Sequence, residues 1–121
     1  MTTIKTTIIN KTPHEVIVSE VKIGTDGLPF RLNQRTTGDG YLLFGDKKIN
    51  ITKTEYTGQE DLPPYSYGTY YIVSAVFCQA NPDRADFLIV NETIRDERGV
   101  IIGCKSLSIN PFLRKDVEVK Q

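Results

Sequence analysis

The chain has no tryptophan, one methionine, one histidine and two cysteines among its 121 residues. A single histidine leaves ordinary acid–base chemistry to that residue or to carboxylates. Cys78 and Cys104 stand far apart and form no C-x-x-C or zinc-type pair, which argues against a redox motif and for free thiols in the cytosol. Catalytic zinc usually takes three protein ligands, which here would require His14 and both dispersed cysteines to converge. Charge is balanced, with 15 basic and 15 acidic residues. The broad positive field of a nucleic-acid binder is therefore missing, and no duplex nucleic acid is expected as partner. No apolar stretch approaches the roughly 20 residues of a spanning helix, so no membrane partner is expected. The start, "MTTIKTTIIN", also lacks the apolar core of a signal peptide. These features together describe a soluble cytoplasmic protein. Sequons at Asn10, Asn50 and Asn91 then read as accidents of a threonine-rich chain.

Catalytic motifs are missing too. There is no P-loop, no G-x-G-x-x-G fingerprint and no G-x-S-x-G elbow. Two carboxylate pairs, Glu60-Asp61 and Asp96-Glu97, are able in principle to share a proton or hold a divalent ion, but solvated loop charge is the simpler reading. "NKTPHEV" holds the lone histidine. Pro13 fixes its own backbone angle and pushes Thr12 into an extended conformation, so the stretch reads as a corner between strands. His14 is expected to hold that corner through a ring hydrogen bond rather than to do chemistry.

What is abundant is β-branched residues, which predict a β-rich α+β fold: an antiparallel sheet with one or two short helices, in a single domain over residues 1–121. "TIKTTIIN" gives a first strand and "EVIVSEVKI" alternates as a half-buried one. Asp26-Gly27 predicts a hairpin turn leading to a strand in "LPFRLN", and a second Asp-Gly pair follows at Asp39-Gly40. "YLLFGDKKINITKTEY" carries a short apolar strand, a Gly-Asp-Lys turn and an alternating strand with Ile49, Ile51 and Lys53 on one face. "TGQEDLPPYSYGT" is a loop, with Tyr65 and Tyr67 covering core or closing over a ligand. In "YYIVSAVFCQANPDR", Ser74 is a helix cap, Ala75 to Gln79 favour helix and Asn81-Pro82 stops it. "ADFLIV" begins a strand, and "ETIRDERGVIIGCKSLSI" reads as two strands joined at residues 96–99. The weakly alternating tail "NPFLRKDVEVKQ" is expected to pair only in an assembly.

Four segments, "NKTPH", "TEY" at residues 54–56, "YIVSAV" at 71–76 and "IRDERGVIIGCKSL" at 94–107, resemble a family of small phage and bacterial proteins with a Leu-Thr-Pro-His start. Through it the chain is similar to phage anti-Thoeris proteins, sponges for the cyclic ADP-ribose signal of that antiviral defence. The resemblance implies a non-enzymatic β-rich homo-oligomer, a hexamer built from dimers, working without cofactor in the host cell cytoplasm. Its implied ligand is a cyclic nucleotide, a cyclic ADP-ribose isomer and by extension cyclic oligonucleotides. Lys11 departs from the family's leucine, which leaves open how the first strand packs.

Such a ligand carries a pyrophosphate, an adenine and ribose hydroxyls, so its site needs a cation, an aromatic shelf and small polar groups. Arg95 and Lys105, on the two arms of the C-terminal hairpin, are expected to bracket a phosphate with Ser106 beside them. The competing reading makes them solvated strand charges. Tyr56 and Phe77 are candidate shelves, with core packing equally open to Phe77. Asn91 and Ser74 are candidate readers of a ribose or base edge, although a turn and a helix cap are the plainer roles. Unpaired sheet edges predict oligomerisation, with a site shared between Arg95 of one chain and Arg114 of another. Two other classes stand beside the sponge. One is a small enzyme cleaving an ADP-ribose or cyclic-nucleotide bond through Glu55, Asp96 or His14. The other is a phage structural or host-binding module without a small ligand.

Overall fold

The computed structural model describes residues 6–58 and 61–117. The body is a six-stranded sheet in the order β1-β6-β7-β8-β2-β3, and a two-stranded ribbon, β4-β5, stands outside it. The body strands are β1 (Thr7–Asn10), β2 (Val16–Val18), β3 (Val21–Ile23), β6 (Thr69–Ile72), β7 (Phe87–Arg95) and β8 (Ile101–Ile109). One short helix, α1 (Ala75–Ala80), joins β6 to β7. The ribbon strands are β4 (Asn33–Phe44) and β5 (Lys47–Thr57). This is the expected β-rich α+β class in a single small domain. Antiparallel pairing joins β7 to β8, β2 to β3 and β4 to β5, while β1–β6, β6–β7 and β2–β8 are parallel.

Adjacent residues of β6 face opposite ways, as a pleated strand requires. Tyr71 joins a cluster with Val73, Phe77, Cys78 and Phe87, whereas Ile72, its neighbour, joins Val16 and Cys104. Phe30 lies against the rings of Tyr71, Phe77 and Phe87 at centroid distances of 5.5–6.0 Å, so an irregular segment supplies a core ring. The helix forms where its caps allow it. Ser74 Oγ accepts from the N–H of Phe77 at 3.2 Å, and Asn81 Nδ2 donates to the Phe77 carbonyl at 2.9 Å. Behind that end the buried Asn110 turns its amide toward the carbonyls of Asn81 and Cys78. Beyond Asn110 the described tail forms turns with no strand, and residues 118–121 of the expected tail pairing lie outside the described residues. A second buried polar unit stands at the start of β7. Arg84 donates to both carboxylate oxygens of the fully buried Asp86 at 2.9 and 2.8 Å, and its guanidinium lies 4.3 Å from the centroid of Phe87.

Two expected turns are placed differently. "EVIVSEVKI" is not one strand but the hairpin β2–β3, turning where Ser19 takes a positive φ of 55°. Residues 28–32 after Asp26-Gly27 form no strand; Phe30 and Leu32 pack on the core instead, and that burial overrides the local hairpin signal. Asp39-Gly40 is no turn either. It is a bulge inside β4, where the pairing register shifts between Gly38 and Tyr41. The expected Gly-Asp-Lys turn does form, at Gly45-Asp46, with Gly45 at φ 65° in a two-residue hairpin loop. Residues 3–5 of "TIKTTIIN" lie outside the described residues, while its end forms β1 in parallel with β6.

The corner at "NKTPH" is built by Asn10 and not by the ring of His14. Asn10 is 1% exposed, its Nδ2 donates to the carbonyls of His14 (2.8 Å) and Ile23 (3.0 Å), and its Oδ1 accepts from the N–H (2.9 Å) and hydroxyl (2.6 Å) of Thr12. The expected ring hydrogen bond is replaced by the backbone carbonyl of His14, whose side chain is exposed. An amide, with donors and acceptor on one rigid plane, satisfies three strands of chain at once, which an imidazole cannot. The same engagement removes the sequon at Asn10 from use. Asn10→Ala is expected to cost about 1–3 kcal/mol, because buried carbonyls and an N–H lose their partner. His14→Ala should stay within about 0.5 kcal/mol of the parent. Urea unfolding of both variants separates the two accounts.

Candidate ligand-binding site

Two clefts flank this corner. The first, about 370 Å³, is lined by Lys11, Thr12 and Pro13 of the corner, by residues 29–32, by Tyr56 at the root of the ribbon, and by Ser74 and Val76 of the helix start. The second, about 460 Å³, lies between residues 12–17, residues 73–75, Ile89 and Val90 of β7, and residues 101–104 of β8. Thr12 and Ser74 belong to both walls, so the clefts adjoin. Their chemistry differs. The first gathers two cations, Lys11 and Arg31, with the rings of Phe30 and Tyr56. The second is mainly aliphatic, with His14 and Glu15 among its polar residues.

Lys11 is fixed where it is useful to the first cleft. Its ammonium donates to the Asp26 carbonyl at 2.7 Å, lies 3.9 Å from the Asp26 carboxylate and stands 5.4 Å from the Phe30 ring centroid. Lys11 thus puts a cation on a cleft rim, while the chain after β1 packs through Asn10. Gly103 permits the second cleft to take its shape. A Cβ there would meet the Ile17 carbonyl at 3.2 Å, so glycine lets β8 run close to β2.

The residues proposed from sequence are partly gathered and partly scattered. Tyr56 and Ser74 both line the cationic cleft, and Ser74 is in addition the helix cap. Phe77 is no shelf: it is wholly buried in the aromatic core. Arg95 and Lys105 do not bracket a phosphate. Arg95 pairs with Ile101 and donates to the Gly99 carbonyl at 2.7 Å, whereas the β7–β8 register sets Lys105 between the partners of Asn91 and Thr93. The turn reaches from Asp96 to Val100, with Asp96 Oδ1 accepting from the N–H of Arg98 and Val100, so Arg95 sits beside the turn while Lys105 lies farther along the hairpin. Ser106 donates to Glu92 at 2.9 Å. Asn91 is an exposed strand residue opposite Ser106, not a turn residue. Arg114 lies 3.4 Å from Asp116 in the exposed tail. Sequence reasoning missed Lys11 and Arg31 as site cations. Neither gave a local signal: the Arg31 segment is brought to the corner by the packing of Phe30 and by the bond from the Phe30 N–H to the Lys11 carbonyl at 3.0 Å.

The residues offered for catalysis sit on separate elements: Glu55 on the ribbon, 3.7 Å from Lys53, Asp96 in the β7–β8 turn, and His14 at the corner. Glu60, of the other carboxylate pair, lies outside the described residues. Among the described residues no group of three His, Cys, Asp or Glu side chains is arranged to hold a metal ion, and no helix is long and apolar enough to cross a membrane. Set against known proteins, the chain matches no family model, no curated protein and no solved structure.

Both cysteines are buried and free. Burial pushes the Cys78 thiol up to about 12, because desolvation disfavours the charged thiolate. Cys78 is therefore expected to resist iodoacetamide at pH 8 in the native protein and to react once urea unfolds it, as mass spectrometry of the labelled chain will report. The folded state keeps a proton that the unfolded chain releases, so this group's contribution to stability is lost as pH rises from about 9 toward about 12. Over that window the urea midpoint should fall more steeply for the parent than for Cys78→Ala.

Proposed function

We propose that this protein is a non-catalytic binder of a cyclic nucleotide, a cyclic ADP-ribose isomer foremost and cyclic oligonucleotides by extension, held in the cationic cleft. The observation that carries the reading is one cleft in which Lys11 and Arg31 meet the rings of Phe30 and Tyr56. A pyrophosphate needs cations and an adenine needs a flat aromatic face. The cleft volume of about 370 Å³ falls within the range of small-molecule sites. Thr12 and Ser74 supply hydroxyls at the boundary with the neighbouring cleft. Binding without conversion sequesters the ligand, and in this proposal, motivated by the sequence resemblance, that act blocks a Thoeris-type defence in the cytoplasm of an infected cell.

The chain as a sponge makes a direct prediction. Calorimetric titration with cyclic ADP-ribose isomers should show saturable binding, and the ligand should come back unchanged when the complex is denatured. Tyr56→Ala should weaken binding about tenfold or more, since stacking of one base is worth about 1–3 kcal/mol. Lys11→Met should weaken it as well and flatten its salt dependence. Consumption of ligand at catalytic protein concentrations would establish the enzyme reading instead, and absence of heat with every isomer defeats both. A second reading, a structural or host-binding module, draws its support from the exposed ribbon.

A further inference from the structure

The β4–β5 ribbon is an arm with nothing of its own to rest on. All of β4, and all of β5 except Ile51, is exposed. With about 3.3 Å per residue it reaches on the order of 35 Å from its root. A lone two-stranded hairpin is marginally stable at best in water, so an arm of this length calls for a surface to lie on. Its end is apolar. Leu43 and Phe44 are 69% and 76% exposed, with Tyr41, Leu42 and Ile49 beside them. The register puts Leu42 opposite Ile49 and Phe44 opposite Lys47, so one face of the tip carries three large apolar side chains. Isolated exposed side chains are ordinary, but a contiguous group at the end of a projecting arm marks an interaction site.

The body offers a matching surface. Ile101 and Ile102, about half exposed, flank an aliphatic cleft of about 460 Å³ with Ile89 and Val90. Glu15 is part of that wall, while Lys47 and Lys48 follow the turn of the arm. Apolar tip meets apolar cleft, and the paired lysines meet a carboxylate. An arm that projects from its own body brings its tip to another molecule. We infer that the tip of the arm docks into the aliphatic cleft of a second copy of this chain. Reciprocal exchange seats two tips in two clefts at once, and that doubling carries an arm contact toward the roughly 1,200–2,000 Å² of a specific interface. The inference goes beyond the ligand reading and does not rest on it, since the cleft concerned is the aliphatic and not the cationic one.

The test uses the full chain. Light scattering should give the parent at least twice the monomer mass, and Phe44→Glu, an exposed position that leaves the body intact by circular dichroism, should shift it to monomer. Leu42→Cys and Ile102→Cys, co-expressed on chains with tags of different size, should be joined by a bis-maleimide into one product containing both tags. The native thiols are buried. A monomeric parent overturns the inference, as does a Phe44→Glu variant that keeps the parent's mass. Linkage of Leu42→Cys to itself, without Ile102→Cys, overturns it in favour of arm-to-arm pairing. Absence of the mixed product overturns it in favour of an outside partner for the arm.

Discussion

A single buried amide orders the region on which both clefts depend. Asn10 ends β1, yet its side chain binds the carbonyl of Ile23 in β3 and closes the loop through His14 and Thr12. β1 and β3 are the opposite ends of the six-stranded sheet. The amide therefore joins chain from the two margins of the sheet, helped by the backbone bond from the N–H of Asp26 to the Asn10 carbonyl at 3.0 Å. A group desolvated to this degree is stabilising only because all its donors and acceptors are met. Its geometry holds Lys11, Thr12 and Pro13 outward, where they form a wall of the cationic cleft.

Three buried polar side chains, Asn10, Asp86 and Asn110, perform the same kind of work at different places. Asn110 gathers the end of the helix, and Asp86 anchors Arg84 beneath the ring of Phe87. The ion pair is nearly dry, with the Arg84 side chain 14% exposed and Asp86 fully buried. Replacing such a pair by apolar residues can be neutral, but removing one partner strands a charge. These contacts fix the irregular chain that the strands themselves leave unspecified. That matters here because much of the aromatic core, through Phe30 and Phe77, comes from segments outside the sheet.

Local signals in the sequence were reliable where the decisive contacts were local. Ser74, the run from Ala75 and the Asn81-Pro82 stop define a helix whose caps lie within a few residues, and they are where the sequence puts them. The β7–β8 hairpin likewise turns through its own Asp96 and Gly99. The readings that changed were set by distant partners. Asp26-Gly27 resembles a hairpin turn, but Phe30 is drawn into a core formed by residues 71–87. Ser19 adopts a positive φ without glycine's help because β2 must pair with both β3 and β8, and its N–H bonds the Cys104 carbonyl at 2.7 Å. The candidate site shows the same division. Tyr56 and Ser74 were legible by residue type. The pairing of Arg95 with Lys105 failed on the hairpin register, which sets Lys105 across from the stretch between Asn91 and Thr93, well short of Arg95.

The two clefts cannot be treated as separate, because Thr12 and Ser74 face both. An occupant of the aliphatic cleft would touch the same corner and helix cap that bound the cationic one. Coupling of this kind is reciprocal: an occupant that tightens the second site is itself bound more tightly when that site is filled. The wall between them is stiff, since Thr12 is tied to Asn10 and Ser74 to the N–H of Phe77. Tyr56 adds a second path, because it lines the cationic cleft from the root of the same arm whose tip is apolar. Arm root, corner and helix start thus meet around one cleft, and the buried Asn10 ties the corner in place.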